Sequence, residues 1–295
     1  MWRVTHNYKI RNEMMRDAMK LWRDLEKETG EELLVQFPLL TMGSVDNEDF
    51  KLVAEQYPDA TLLTPEEITT KFPALKNIPS DYKGMINEDC GIVRARKALD
   101  VVSKLAQDKY GAKLLFNTKV TNTTKNQVTT EDGTTYTGKH VVIAAGAYSN
   151  DFDEKKPSKR REIEYIVFDD PSDMPKGIIE FTNDGNEFYG MLDGDNLDRY
   201  KMGEFFQRTI ASMAQYFRTR LPDKFDRIKY VHPCYITMID SGEFQYKTDE
   251  KGVHFAYGFS GTGFKFLPLH GKIVYDGLIN KFDQRFVPTK FRAKM

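Results

Sequence analysis

The sequence predicts an α/β fold joined to an α+β lobe, and three observations carry that expectation. Amphipathic helical segments alternate with strands. A hairpin-rich stretch occupies the middle of the chain. One apolar strand, His140-Val-Val-Ile-Ala-Ala-Gly146, has the unbroken hydrophobicity of a parallel-sheet strand rather than the alternation of an antiparallel one.

Taken in order, Lys9 to Thr29 places Met14, Ala18, Leu21, Trp22 and Leu25 at helical spacing, and Gly30 supplies the usual stop. Leu33–Met42 is strand-like, with Pro38 marking an edge or a break. Thr64-Pro-Glu-Glu67 combines an N-cap, a first-turn proline and a capping-box glutamate. Arg94–Tyr110 is a second amphipathic helix with Ala98, Val101, Val102, Leu105 and Ala106 as its buried stripe. Lys113–Thr121, Gln127–Glu131 and Thr134–Thr137 alternate around an Asp132-Gly133 turn. Beyond a polar stretch from Asp151 to Arg161, strands are predicted at Ile163–Phe168, Ile178–Phe181, Phe188–Leu192, Tyr230–Ile239 and His254–Tyr257. Helices are predicted at Thr209–Leu221 and Gly271–Asn280.

Bulk composition excludes several classes. The 295 residues carry 43 basic and 44 acidic side chains, so the balance is not that of a general polyanion binder. The basic run Lys155–Arg161 reads as a solvated loop, and no nucleic-acid partner is expected. Two distant cysteines, Cys90 and Cys234, do not make a disulfide framework and fit a reducing, intracellular setting. No apolar run approaches the ~18 residues of a membrane span. The five histidines lack metal-ligand spacing, and no Gly-x-Ser-x-Gly elbow occurs.

The most specific segment is Gly258-Phe-Ser-Gly-Thr-Gly-Phe-Lys-Phe266. Three glycines between a short strand and a helix let backbone approach a flat ligand closely. A tight strand-to-helix turn is the plainer reading of the same residues. This segment resembles the Gly-Phe-Ser-Gly-His-Gly-Phe-Lys loop of flavin-dependent amine oxidases of the sarcosine/pipecolate/N-methyl-amino-acid oxidase type. Further matches follow in that family's order: Leu25–Gly30, Thr64–Pro73, Tyr136–Ser149, Phe188-Tyr-Gly190, and Pro233-Cys-Tyr-Ile-Thr237 with Phe244 beyond it.

The resemblance implies FAD as cofactor, a small-molecule amine substrate and O2 as acceptor. A hydride would pass from the carbon beside a secondary amine to the flavin, giving an imine and hydrogen peroxide. It implies that Lys265 is catalytic, its ammonium facing the flavin where reduced cofactor meets oxygen. Tyr189 and Thr262 become substrate-binding residues. Gly146, Gly261, Gly263, Phe264 and Arg3 become cofactor-binding, with Arg3 and His6 falling where the family has an arginine-bearing segment. Cys234 has two readings: a small buried strand residue, or the attachment point of a covalent flavin.

By the same resemblance, residues 1–30, 85–150 and 230–295 form a residual flavin lobe in a glutathione-reductase-like sheet. Residues 31–84 and 151–229 form the substrate lobe. The family's opening strand, glycine-rich turn and helix are not among these residues, so a truncated form is expected, with a partner chain or oligomer completing the flavin lobe. Thr262 stands where the family has histidine, and Glu204-Phe205 follows Gly203 where another histidine is expected. Those departures favour a rival reading, a degenerate, non-catalytic relative serving as a binding module. Ala293-Lys-Met295 is similar to a peroxisomal tripeptide and implies that compartment, with the cytoplasm as the alternative.

Overall fold

A computed structural model describes all residues except 7–8, 154, 156–157, 205–209, 241, 282, 284 and 286–295, together with the side chain at 210. The Ala293–Met295 tripeptide and Phe205 lie outside the described residues. The first part of the chain runs β1 (Trp2–Arg3), α1 (Lys9–Thr29), β2 (Leu34–Gln36), β3 (Leu39–Ser44), α2 (Glu48–Ala54), α3 (Pro65–Lys71), β4 (Tyr82–Asn87), β5 (Cys90–Val93) and α4 (Ala95–Asp108). The middle gives β6 (Val120–Thr123), β7 (Gln127–Thr130), β8 (Thr135–Thr137), β9 (Val142–Ile143), β10 (Lys159–Asp169), β11 (Gly177–Phe181), β12 (Glu187–Asp193) and β13 (Asn196–Glu204). There follow α5 (Ile210–Arg220), β14 (Ile228–Met238), β15 (Gln245–Thr248), β16 (His254–Tyr257) and α6 (Leu267–Leu278). Contacts divide the chain into two compact units, Met1–Leu99 with Ile163–Cys234 and Asp100–Glu162 with Tyr235–Met295.

Unit 1 is built on a seven-stranded sheet in the order β14-β10-β13-β12-β11-β3-β4, with a small sheet β1-β5-β2 beside it. Most of its pairings are antiparallel; β11 and β3 run parallel. Alternation along these strands sends Leu40, Met42, Ile166, Phe168, Ile178, Tyr200 and Met202 to one face, where Phe217 and Leu221 of the α5 segment and Ile68 of α3 cover them. The other face packs Leu39, Met85, Ile179 and Phe181 against Phe50 and Val53 of α2.

Local chemistry sets the element ends. Gly30 adopts φ +71° and donates to the Glu26 carbonyl at 2.8 Å, closing α1. The Glu26 carboxylate accepts the N–H groups of Leu33 (2.7 Å) and Leu34 (2.8 Å), tying the helix end to the strand that follows. Pro38 stands where the chain leaves the small sheet for the large one, so the predicted Leu33–Met42 strand is two strands, β2 and β3. Thr64 and Glu67 form the full capping box of α3.

Unit 2 holds a sheet β15-β16-β9, in which β9 runs parallel to β16 and β15 antiparallel to it, and a meander β6-β7-β8. Val141, Ile143, Val253, Phe255 and Tyr257 make its core. Two expectations fail here. The strand predicted over Lys113–Thr121 begins only at Val120, because Leu115 (54% exposed) and Phe116 (79%) meet no facing element among the described residues. His140–Gly146 was predicted fully buried; only Val142–Ile143 is strand, at a sheet edge, and Val142 is 37% exposed. Of the predicted α4 stripe, Ala98 alone is fully buried.

Candidate functional site

In unit 2 the parallel pair β9 and β16 is registered Val142↔His254 and Ile143↔Phe255. Both strands leave the sheet at the same end, and each runs within three residues into a left-handed glycine: Gly146 (φ +54°) and Gly258 (φ +76°). The carboxyl ends of adjacent parallel strands are where open α/β sheets bind ligands. A Cβ at Gly146 would meet nothing within 4 Å, and one at Gly261 (φ +69°) only Ile236 at 3.5 Å. The exposed backbone there is open to a flat ligand.

The segment after Gly258 folds back on itself. Ser260 sits at φ +48°, a left-handed position costing a non-glycine residue about 1–2 kcal/mol. Its N–H donates to the Thr237 carbonyl at 3.0 Å, and its hydroxyl to the Gly258 carbonyl at 3.3 Å. Gly263 is required for a different reason: a Cβ would lie 2.4 Å from Phe259 Cβ. The Thr262 hydroxyl donates to the Phe259 carbonyl at 3.0 Å, so it helps to hold the loop. Phe264, Lys265 and Phe266 form one 3-10 turn leading into α6, with Lys265 9% exposed and its ammonium 5.5 Å over the Phe266 ring.

Unit 1 holds the other sequence-predicted residues, with Tyr189 on the α2-side face of the large sheet. The cross-strand register places Tyr189 beside Gly203 and Ile179. A Cβ at Gly203 would lie 2.9 Å from the Tyr189 hydroxyl and 3.2 Å from Tyr165, so this glycine makes room for both rings. The two tyrosines meet edge to face at 6.0 Å, and their hydroxyls are hydrogen-bonded to each other. Burial, followed by Tyr165, pushes the Tyr189 hydroxyl well above its ordinary pKa, so it stays neutral.

Cys234 is a partly exposed thiol outside any disulfide. Arg3, on β1 opposite Cys90, reaches Glu187 at 3.4 Å. Burial lowers the Arg3 pKa while Glu187 opposes the shift. Glu187 lies two residues from Tyr189 on the same strand and face. Cys90 is buried, its pKa pushed up to about 12 mainly by desolvation, which keeps the thiol protonated and inert. The structure thus groups Gly146, Gly261, Thr262, Gly263, Phe264 and Lys265 in unit 2, and Arg3, Tyr189 and Cys234 in unit 1. Tyr165, Glu187 and Gly203 were not foreseen. None of them is marked in the sequence: β13, which holds Gly203, is not among the predicted strands.

The family model described as "DAO: FAD dependent oxidoreductase" matches residues 1–276. Human peroxisomal sarcosine oxidase is 23% identical over 299 residues, covering 89% of this chain and 76% of its own length. N-methyl-L-tryptophan oxidase of Salmonella arizonae is 24% identical, covering 93% of this chain and 81% of its own. Among solved structures, the open form of NikD, an amino acid oxidase, superposes with a TM-score of 0.83 at 22% identity, covering 97% of this chain and 85% of its own. L-proline dehydrogenase from P. horikoshii gives 0.78 at 19% identity, covering 99% and 86%.

The α/β architecture with its mixed sheet is therefore that of the DAO-fold flavin enzymes. The chain belongs to the DAO family of FAD-dependent oxidoreductases, and its cofactor is FAD. The open backbone at Gly146 and Gly261 fits such a planar group.

Proposed function

We propose that the protein oxidises a secondary amine or N-methyl amino acid of the sarcosine or pipecolate kind, with O2 as acceptor, giving an imine and hydrogen peroxide. The observation that carries the reading is the Gly146/Gly258 pair at the ends of parallel strands, with the Lys265 turn built on the second of them. Sarcosine and N-methyl-L-tryptophan are the substrates named for its relatives. FAD supplies the two-electron chemistry when bound; the chain's residues bind, orient and exclude water.

Gly146, Gly261, Gly263 and Phe264 border the cofactor. Lys265 holds a positive charge at the face where oxygen reacts, favouring anionic charge that develops there. Tyr189, kept neutral by burial, lines the substrate pocket beside Tyr165, and Thr262 holds the Gly258–Phe266 loop. The partly exposed Cys234 is the candidate for covalent attachment, and Arg3 is a candidate cofactor-binding cation. The lobes assigned from the sequence, residues 1–30, 85–150 and 230–295 for FAD and 31–84 and 151–229 for substrate, belong to this proposal.

The exposed Leu115 and Phe116 and the open edge of β9 support completion of the flavin lobe by further polypeptide, a partner chain or a second copy. Ala293–Met295 supports a peroxisomal address, which suits a peroxide producer. Among the described residues no helix is long and apolar enough to cross a membrane.

Non-catalytic binding is the second reading. It is favoured by Thr262 turning its hydroxyl to backbone, and by Glu204 being buried, so that neither replaces an acid–base histidine.

Purified protein separates the two. A yellow protein whose flavin survives acid precipitation, and which releases peroxide with sarcosine, pipecolate or an N-methyl amino acid, supports the enzyme reading with Cys234 attachment. Folded protein that takes up no FAD and releases no peroxide overturns it.

A further inference from the structure

The two glycine turns leave the β9–β16 pair at one end, and past the sheet a buried carboxylate joins them. The turn Gly146–Asp151 packs on β16 and delivers Asp153 two residues beyond its end. Asp153 is buried. Its Oδ2 accepts the Tyr257 hydroxyl at 3.0 Å and the Lys247 ammonium of β15 at 2.5 Å, and its Oδ1 accepts the Lys155 N–H at 3.1 Å. Tyr257 is the last residue of β16, directly before Gly258 (φ +76°). Asp153 therefore links the segment that follows the Gly146 turn to the residue that enters the second turn.

The surroundings hold that carboxylate in one state. Phe152, the neighbour of Asp153, packs on the core that contains Phe255 and Tyr257. A charge brought into such surroundings is tolerated only when paired. Burial acts to raise the Asp153 pKa, and the Lys247 ammonium, the Lys155 N–H and the Tyr257 hydroxyl outweigh it. The group is held below its ordinary value and stays ionised at neutral pH. Burial, and then the Asp153 charge, push the Tyr257 hydroxyl up, so it keeps its proton and donates. The Lys247 ammonium lies 5.5 Å from the ring centroids of both Phe255 and Tyr257, which keeps it beside the carboxylate.

We propose that Asp153 is a positioning residue for the cofactor: through Tyr257 it sets the separation of the Gly146 and Gly258 turns, and so the gap that FAD must fit. This rests on the reading of these two turns as the border of FAD. A buried ion pair that only stabilises the fold would make the same bonds. What distinguishes the proposal is its demand that losing the Asp153–Tyr257 bond loosens both turns together and weakens FAD binding by the folded protein, not only its stability.

The test uses the full chain, first without FAD and then titrated with it. Tyr257→Phe keeps the ring and the Lys247–Asp153 pair and removes one hydroxyl. The Tyr148 amide in the first turn donates to the Ala145 carbonyl, and the Thr262 amide in the second to the Phe259 carbonyl. In the apoprotein, Tyr257→Phe should speed hydrogen exchange at both amides by about tenfold, the order of one net hydrogen bond. FAD should then bind about tenfold more weakly, as when the competent spacing is populated about a tenth of the time. Asp153→Ala should match or exceed both effects. Asp153→Asn, whose amide oxygen can still accept the Tyr257 hydroxyl, should keep the FAD dissociation constant within about threefold of the parent.

Unchanged exchange at either turn in Tyr257→Phe overturns the positioning role. Faster exchange with an unchanged FAD dissociation constant reduces the cluster to a stabilising ion pair and overturns the proposal on the functional side. Asp153→Asn binding FAD as weakly as Asp153→Ala does the same. Where Asp153→Ala fails to fold, Tyr257→Phe decides alone. A parent protein that takes up no FAD is a separate failure. It sinks the flavin reading and the cofactor role with it, while the apoprotein exchange rates still decide whether Asp153 couples the two turns.

Discussion

Alanine placed in turn at Gly146, Gly258, Gly261 and Gly263 separates the two reasons for which this site uses glycine. At Gly146 (φ +54°) and Gly261 (φ +69°) the backbone is left-handed, and a Cβ meets at most Ile236 at 3.5 Å. Each substitution should therefore cost only the left-handed strain of about 1–2 kcal/mol. At Gly258 (φ +76°) the same strain is joined by a Cβ 2.2 Å from Ile239 Cδ1. With overpacking worth about 1–3 kcal/mol, the sum is about 2–5 kcal/mol, and the Ile239 side chain can swing to keep it in the lower half.

At Gly263 the backbone is unstrained, yet the new methyl would stand 2.4 Å from Phe259 Cβ, an atom that no rotamer change can move. The cost there is overpacking alone, about 1–3 kcal/mol. Urea midpoints at constant slope report the four values. FAD uptake supplies the second readout. Gly146→Ala and Gly261→Ala put a methyl into open space, so they should weaken FAD binding more than their small stability cost would suggest. Equal stability costs at all four positions, or full FAD affinity in Gly261→Ala, would refute this account of the loop.

Three more outcomes are expected. Lys265→Met should leave reduction of the flavin by substrate intact and slow its reoxidation, measured by stopped-flow under oxygen; equal reoxidation rates refute its role. Glu180 and Arg220 form a buried pair at 2.7 Å, with 0% and 9% side-chain exposure, and Tyr216 also donates to Glu180 at 2.8 Å. Glu180→Ala should cost about 3–5 kcal/mol in urea unfolding, and Glu180→Leu combined with Arg220→Met clearly less. His254 has its pKa lowered by burial and by His140, whose ring is 5.5 Å away. The unfolded chain therefore binds a proton at higher pH than the folded one. That stability is full above the unfolded value of about 6.5 and is lost as pH falls toward the folded value. His254→Asn should flatten unfolding free energy against pH across that window, and an unchanged slope would reject the assignment.

Much of the local structure was legible because its causes are local. The cap at Thr64, the stop at Gly30 and the break at Pro38 each depend on a few neighbouring residues, and each appears where the chain predicts it. The strand predicted over Lys113–Thr121 failed for the opposite reason. Its apolar residues favour extension, but a strand needs a partner, and no periodicity reveals whether one is there.

The sequence by itself determined the ordered motifs that point to a flavin oxidase, and above all the glycine spacing from Gly258 to Phe266. It could not determine what those glycines serve, because their neighbours are remote in the chain. Only the tertiary structure placed Val142 beside His254, so that Gly146 and Gly258 leave the sheet at one end. Only it set Gly203 against Tyr189 and turned His270 onto the Gly263 carbonyl. Turns and caps follow from short-range sterics and hydrogen bonds that sequence encodes directly. Strand register and the direction of a buried imidazole follow from packing among distant segments, which the folded chain alone decides.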